Sequence, residues 1–214
     1  DSSKDGGPPP VRSRKHVLGL PDVAAAHTRE LENANDLVHR MCTLLHVARA
    51  AGSEVVIENP VDRGNPERPE FFSFEEHAPI WVMPDVISFG RAAECTSVTF
   101  SQCKFGSEAQ KHTTFLFTPG LRPSLASLDD MRCDHDPKQH RAMAGGDKTD
   151  DGWSSTRHAW FPPALNLFLA QACARLAAGY TAKAALQPLA RGRASRPERG
   201  TEPPRTRPAP REAR

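Results

Sequence analysis

The stretch EVVIENP (residues 54–60) guides the interpretation of the rest of the chain. Three β-branched residues are followed directly by an acid, an amide and a proline. An apolar run that ends in a carboxylate is typical of a buried parallel strand, which delivers a polar group to the rim of an open α/β sheet, where such folds bind ligands. The pattern makes Glu58, Asn59 and Pro60 candidate site residues, although Asn-Pro is also common in ordinary turns.

The segment before this stretch predicts one long amphipathic helix between residues 23 and 51. Its apolar residues recur at spacings of three and four, with charged residues between them; they are Leu31, Ala34, Leu37, Val38, Met41, Leu44, Leu45 and Ala48. Gly52 supplies a helix stop, and the strand follows after a loop of αβ length. Helix, short turn and buried strand together predict a parallel-sheet unit.

Downstream, one helix and two strands are expected. Ser73 and Glu76 have the spacing of a capping box, which predicts a helix whose regularity is limited by the prolines that follow. Residues 97–102 (SVTFSQ) and 113–118 (TTFLFT) predict short strands. Their connection is too short for a crossover helix, so the two strands should pair antiparallel.

The last part of the ordered chain predicts two further helices around a loop. A short helix is expected near residues 123–130, a Gly/Asp-rich loop at 144–152, and a final helix from Pro162 or Pro163 to Ala178. Proline at the first helical turn fits that start.

Residues 188–214 have a composition that predicts disorder. They are rich in proline and contain eight Arg and three Glu, with no aromatic residue. Because the whole chain has a net charge of only +2, the remainder is negative overall and is not a basic nucleic-acid-binding body. The tail is either a solvated end or a weak, salt-dependent binder of polyanions.

Neither a membrane span nor a signal peptide is evident in the 214 residues. The sequence therefore predicts a soluble, intracellular protein that does not interact with membranes. The chain begins at Asp1 rather than Met, which favours a piece of something longer.

Two further groups of residues could carry chemistry. Gln102, Lys104, Gly106 and Lys111 surround the end of a predicted strand and could hold an anion or a base edge; the alternative is a β-hairpin loop that needs a glycine.

The second group consists of thiols and imidazoles, which are the ligands zinc prefers. Cys133, His135 and His140 lie within one short loop, and Cys103 could complete the set. An ordinary buried cysteine with surface histidines is the alternative, since the five cysteines of the chain form no C-x-x-C pair.

The order of these pieces resembles the cytosine-5 methyltransferase-like domains of some phages and of algal and protist mobile-element polyproteins. The resemblance covers about residues 18–172. It rests on Gly19-Leu20-Pro21, Asn35-Asp36-Leu37, Glu58-Asn59-Pro60, Trp81-x-x-Pro84, Gln102-Cys103-x-Phe105-Gly106, Lys111-x-Thr113, the Cys/His stretch and Phe161-Pro162-Pro163. No single motif is specific, but their order and spacing are.

The resemblance implies that Glu58 is catalytic and contacts the amino edge of a cytosine turned out of its duplex. It also implies that residues 102–111 lie near the rim of the base pocket. Ala78 stands where the family usually has Ser, and this departure weakens the contact with the target base that the resemblance implies.

The same resemblance implies S-adenosylmethionine as methyl donor of the complete domain, with DNA as substrate. In the family the donor loop and a Pro-Cys nucleophile lie upstream of the matched region, and no cysteine of this chain follows a proline. The missing amino-terminal half of the domain is therefore an expected partner, and the isolated chain is expected to be inactive.

We therefore expect an α/β fold, specifically the carboxyl half of a Rossmann-like methyltransferase sheet with an antiparallel terminal strand pair. The expected organisation is a flexible segment at 1–17, the partial domain at 18–187 and a disordered basic tail at 188–214. Two alternatives stay open: a non-enzymatic module that binds nucleic acid or protein, and an inactive mobile-element relic.

Overall fold

A computed structural model describes residues 10–140, 148–149, 152–153 and 160–185. The helices are α1 (Ala25–Ala50), α2 (Pro84–Ala92), α3 (Arg122–Leu125) and α4 (Pro163–Ala185). The strands are β1 (Val56–Pro60), β2 (Thr96–Ser101), β3 (His112–Phe117), β4 (Lys148–Thr149) and β5 (Gly152–Trp153). The tail predicted to be disordered (188–214) and most of the predicted loop at 144–152 lie outside the described residues.

The fold is mixed α/β and is built around a small antiparallel sheet. Its strand order is β1-β3-β2, and β3 pairs antiparallel with both neighbours. β1 and β2 therefore run in the same direction, separated by β3 and joined through α2. β4 and β5, of two residues each, pair antiparallel in a separate sheet.

Side chains alternate across the sheet, so it carries a core on each face. On one face, Phe115 and Phe117 of β3 pack against Leu125 of α3 and Leu165 of α4. On the other, Leu116 packs against a cluster formed by β1, α1 and α2. The helices thus cover both faces, which makes three layers.

The chain divides into two compact units, residues 1–178 and 179–214. Of the second unit the structure describes only the helical residues 179–185. In the first unit, Arg12 donates a hydrogen bond to Asn35 at 2.5 Å and Arg14 pairs with Asp62. The described part of the expected amino-terminal segment is therefore held against α1 and the loop after β1.

Most predicted elements are confirmed near their expected positions, namely the long helix, the three strands, the antiparallel pair and the proline-led final helix. The parallel ladder expected for β1 is wrong, because every strand pair in the described ranges is antiparallel. A β-branched run reports that a strand is buried, and it does not report the direction of the strand's neighbour. A larger Rossmann-like sheet stays a prediction.

The helix expected to open at Ser73 is also absent from the described structure. Residues around Ser73 form turns, with the Ser73 N–H donating to the Arg63 carbonyl at 2.8 Å. The helix begins instead at Pro84, after Met83 in an extended conformation. Proline disfavours helical geometry at the residue before it, so Pro84 sets the helix start and the capping-box spacing does not.

None of the helices within the described ranges is long and apolar enough to cross a membrane.

Candidate functional site

Glu58 lies in the middle of β1, opposite Phe115 of β3. Residues directly opposite each other share a face of the sheet, so Glu58 lies on the face covered by α4. Its Oε1 is buried and accepts no hydrogen bond among the described residues. Among the described residues, Glu58 forms its ion pair with Lys111, whose Nζ lies 4.0 Å from Oε1 and 5.8 Å from the centre of the Phe161 ring.

The electrostatics of this pair are dominated by burial. Burial raises the pKa of Glu58, and the positive charge of Lys111 offsets this only in part. One acceptor atom of this carboxyl group is therefore out of contact with water. The carboxyl group also stays protonated to a higher pH than that of a fully solvated Glu.

The other two residues of the predicted Glu-Asn-Pro motif do not join this group. Asn59 is opposite Thr114 and therefore lies on the other face of the sheet. The Pro60 carbonyl accepts a hydrogen bond from the Trp81 indole at 2.8 Å. Trp81 of the Trp-x-x-Pro motif thus fixes the end of β1.

On the face of Asn59, the structure forms a cavity that sequence reasoning missed. It has a volume of about 260 Å³, and its lining includes Arg68, Phe71, Trp81 and Thr114. The Arg68 guanidinium lies 5.0 Å from the centre of the Phe71 ring. The only sequence signal was an arginine close to two phenylalanines in a loop, which is too common to single out.

The residues predicted near Gln102 mainly build the connection between β2 and β3. Gln102 is buried, its side-chain amide donates to the Thr113 hydroxyl at 2.8 Å, and its backbone N–H donates to the Lys111 carbonyl at 3.1 Å. Gly106 closes the turn with a φ of +86°, a conformation that glycine adopts without strain. This connection positions Lys111 beside Glu58.

Lys104 lies beside the segment that carries Cys133. Its Nζ donates to Asp134 at 2.8 Å. The two lysines predicted to lie near the rim of the base pocket are therefore in different places, with Lys111 beside Glu58 and Lys104 beside the Cys/His cluster.

The four predicted metal ligands come together as one cluster. One side-chain atom from each of Cys103, Cys133, His135 and His140 lies within 4.8 Å of the corresponding atom of every other. Cys133 is central, because its Sγ lies 3.5 Å from Nδ1 of His135 and 3.4 Å from Nε2 of His140. The cluster could hold a metal ion.

Backbone contacts hold the two parts of this cluster together. The Ser101 N–H at the end of β2 donates to the Met131 carbonyl at 2.9 Å, and the Cys133 N–H donates to the Ser101 hydroxyl at 3.1 Å. That hydroxyl is also within 2.9 Å of Nδ1 of His112. The end of β2 therefore positions both Cys103 and the segment that carries Cys133.

Within the cluster, Cys103 is the buried thiol. Burial, together with the hydrogen bond and charge of Cys133, raises the pKa of Cys103 to about 11. Nδ1 of His140 is buried and has no hydrogen-bond partner among the described residues.

The chain shows no match to a protein-family model, to a curated protein or to a solved structure. The chemistry of these two groups, the Glu58–Lys111 pair and the Cys/His cluster, is therefore what defines the candidate site.

Proposed function

We propose that the chain is the base-binding part of a cytosine-5 DNA methyltransferase-like domain, in which Glu58 contacts the amino edge of the target cytosine. The observation that supports this is the buried Glu58 Oε1, which accepts no hydrogen bond among the described residues. A buried acceptor without a partner costs about 1–3 kcal/mol. A ligand that donates to Oε1 would remove that cost.

Cytosine offers what this carboxyl group lacks. The ionised form of Glu58 can accept a hydrogen bond from the exocyclic amine, and the protonated form can donate to the ring nitrogen. The raised pKa of Glu58 favours the donating form. Thymine presents a carbonyl where cytosine has its amine, so an ionised Glu58 would discriminate against it.

The topology is compatible with this assignment. β1 and β2 run in the same direction, and β3 is inserted antiparallel between them. Such an arrangement could form the edge of a larger methyltransferase sheet that ends in an antiparallel hairpin. In this proposal S-adenosylmethionine and the nucleophilic thiolate belong to another part of the complete domain, and zinc is the metal of the Cys/His cluster.

Base preference tests the role of Glu58 directly. The full chain is titrated with fluorescent single-stranded oligonucleotides that are identical except for one central cytosine or thymine. We expect tighter binding of the cytosine oligonucleotide, and we expect Glu58→Ala, which removes both acceptor and donor, to lose most of this difference. Glu76→Ala is the matched control, because Glu76 is an exposed acid in the loop before α2. Equal affinity for both oligonucleotides in the wild type would refute the proposed contact.

Methyl transfer tests the division of roles. The isolated chain should transfer no labelled methyl group from S-adenosylmethionine to DNA, and appreciable transfer would mean that the nucleophile has been misplaced. When the chain is combined with a complementary half that supplies donor site and nucleophile, Glu58→Gln should lower the rate by roughly 10²–10⁴-fold. An unchanged rate would remove Glu58 from the mechanism.

The salt dependence of the same titration separates this proposal from a module that binds through its Arg-rich tail. Residues 188–214 lie outside the described structure, so that alternative stays a prediction from composition. Binding through the tail alone would weaken steeply with salt and would not distinguish cytosine from thymine.

A further inference from the structure

We propose that Cys103, Cys133, His135 and His140 bind one zinc ion in a closed, structural centre. The inference is independent of the role proposed for Glu58. It rests on the positions of the four side chains, which belong to two segments about thirty residues apart in sequence.

The distances in the cluster agree with the edges of a zinc tetrahedron. With Zn–S and Zn–N bonds of about 2.3 and 2.0–2.1 Å, the sulfur–nitrogen edge of a regular tetrahedron is about 3.5–3.6 Å. The two Sγ–N distances from Cys133 are 3.5 Å to His135 and 3.4 Å to His140. Two edges of the required polyhedron, from Cys133 to His135 and from Cys133 to His140, thus already have the required length.

The fourth ligand requires only a small adjustment. Cys103 Sγ lies within 4.8 Å of each of the other three ligand atoms, so shifts of about 1 Å close the remaining edges. Cys103 follows β2 in a short 3₁₀ turn, and the other three ligands lie in the loop at residues 133–140, so both parts can shift without moving a strand. No rearrangement of the sheet is needed.

The donor set selects the metal. Two thiolates and two imidazoles in a tetrahedral arrangement are typical of zinc, whereas magnesium and calcium prefer oxygen ligands. Binding releases the two thiol protons to solvent, and the two thiolates balance the charge of the ion. Because four protein ligands fill all four positions, the centre is structural and leaves no position for a substrate.

The consequence for the fold is a crosslink between two loops. Cys103 belongs to the connection that ends at Lys111, and the other three ligands belong to residues 133–140. The hydrogen bonds that hold the second segment include those from the Cys133 N–H to the Ser101 hydroxyl and from Lys104 to Asp134. Zinc would fasten this segment to the end of β2.

Metal analysis of the full chain, purified with reductant and without chelator, tests the proposal. We expect one zinc per chain, and loss of that zinc in Cys133→Ser and in His140→Asn. Cys173→Ser and His27→Asn are matched controls, because Cys173 is exposed on α4 and His27 lies on α1 beside Glu30. Both controls should keep the metal.

Cobalt substitution keeps the test informative even if a ligand variant fails to fold. The wild type and Cys173→Ser should show the intense visible bands of tetrahedral Co²⁺ together with thiolate-to-cobalt charge transfer. Added zinc should displace the cobalt and raise the melting temperature of the metal-free protein by mass action.

Three outcomes would overturn the proposal. The first is a reduced wild-type protein that takes up neither zinc nor cobalt and whose melting is unmoved by zinc. The second is retention of a full equivalent of zinc in both ligand variants. The third is a purified protein that contains a Cys103–Cys133 disulfide and still binds no metal after that disulfide has been reduced.

Discussion

The Glu58–Lys111 pair predicts opposite consequences for the removal of its two partners. Burial raises the pKa of Glu58 despite Lys111, so the cost of burying the carboxylate exceeds the attraction between the two charges. Replacing the acid by its neutral isostere, Glu58→Gln, should therefore leave stability unchanged or increase it by up to about 1 kcal/mol at pH 8. Lys111→Met leaves the carboxylate buried without a counter-charge and should destabilise the protein.

The size of the Lys111→Met effect follows from the geometry. Two unit charges 4.0 Å apart attract by about 4 kcal/mol at an effective dielectric constant of about 20. Because 30% of the Glu58 side chain and 14% of the Lys111 side chain remain exposed, screening reduces this to about 1–2 kcal/mol. For a domain of this size, that corresponds to a decrease in melting temperature of roughly 2–8 °C.

The pH dependence follows from the direction of the shift. The pKa of Glu58 is raised from 4.5 on folding, so its protonated form stabilises the folded protein. This contribution to the free energy of unfolding is complete below pH 4.5 and is lost as the pH rises through the raised pKa of the folded protein. The Lys111→Met defect should accordingly be smaller at pH 5 than at pH 8, because protonated Glu58 needs no counter-charge.

Urea unfolding of the wild type, both single variants and the double variant at the two pH values measures these terms. Arg40→Met is the control, because Arg40 pairs with Asp36 on the exposed surface of α1 at 3.9 Å and should contribute no more than about 0.5 kcal/mol. If Glu58→Gln were strongly destabilising at pH 8 while Lys111→Met had no effect, the electrostatic reasoning would be wrong.

Two further predictions concern packing and surface. Gly120→Ala should lower the free energy of unfolding by about 1–3 kcal/mol, because a Cβ there would lie 2.6 Å from Cδ of Glu54. Gly90→Ala is the control, because the added Cβ would meet Leu116 no closer than 3.5 Å. Thermal melts of the two variants should show a loss of stability for Gly120→Ala alone. Leu37 and Leu44, each 69% exposed and two turns apart on α1, should promote binding of a hydrophobic dye or self-association, and replacing both by Lys should reduce either signal without lowering stability. A dye-silent monomeric wild type would contradict the second prediction.

The extent of the long helix and of the strands could be predicted from the sequence because local patterns determine them. The spacing of apolar residues over residues 23–51 predicts α1 wherever it packs, and β-branched and aromatic runs predict β1, β2 and β3. Proline at the start of α4 acts through its own backbone geometry. Each of these effects involves residues within a few positions of one another.

The residues of the candidate site were also identifiable by their chemistry, and the four Cys/His ligands were predicted as one set, but the positions of the two lysines relative to Glu58 were not. The thiol and imidazole types predict a metal site, and a carboxylate after an apolar run predicts Glu58 as a candidate. That Lys111 would lie beside Glu58 while Lys104 lies beside Asp134 depends on the path of the β2–β3 connection. Sequence spacing does not contain that path.

Tertiary structure alone decided which side of each element is buried and how the strands pair. Leu37 and Leu44 belong to the predicted apolar face of α1, yet they are exposed, because α1 packs on the sheet through Val38, Met41 and Leu45. The direction of β1 relative to β3 and the approach of Cys103 to Cys133 likewise depend on contacts between distant segments. The free energy of such contacts comes from surfaces that become neighbours only when the whole unit folds, so local sequence patterns could not determine them.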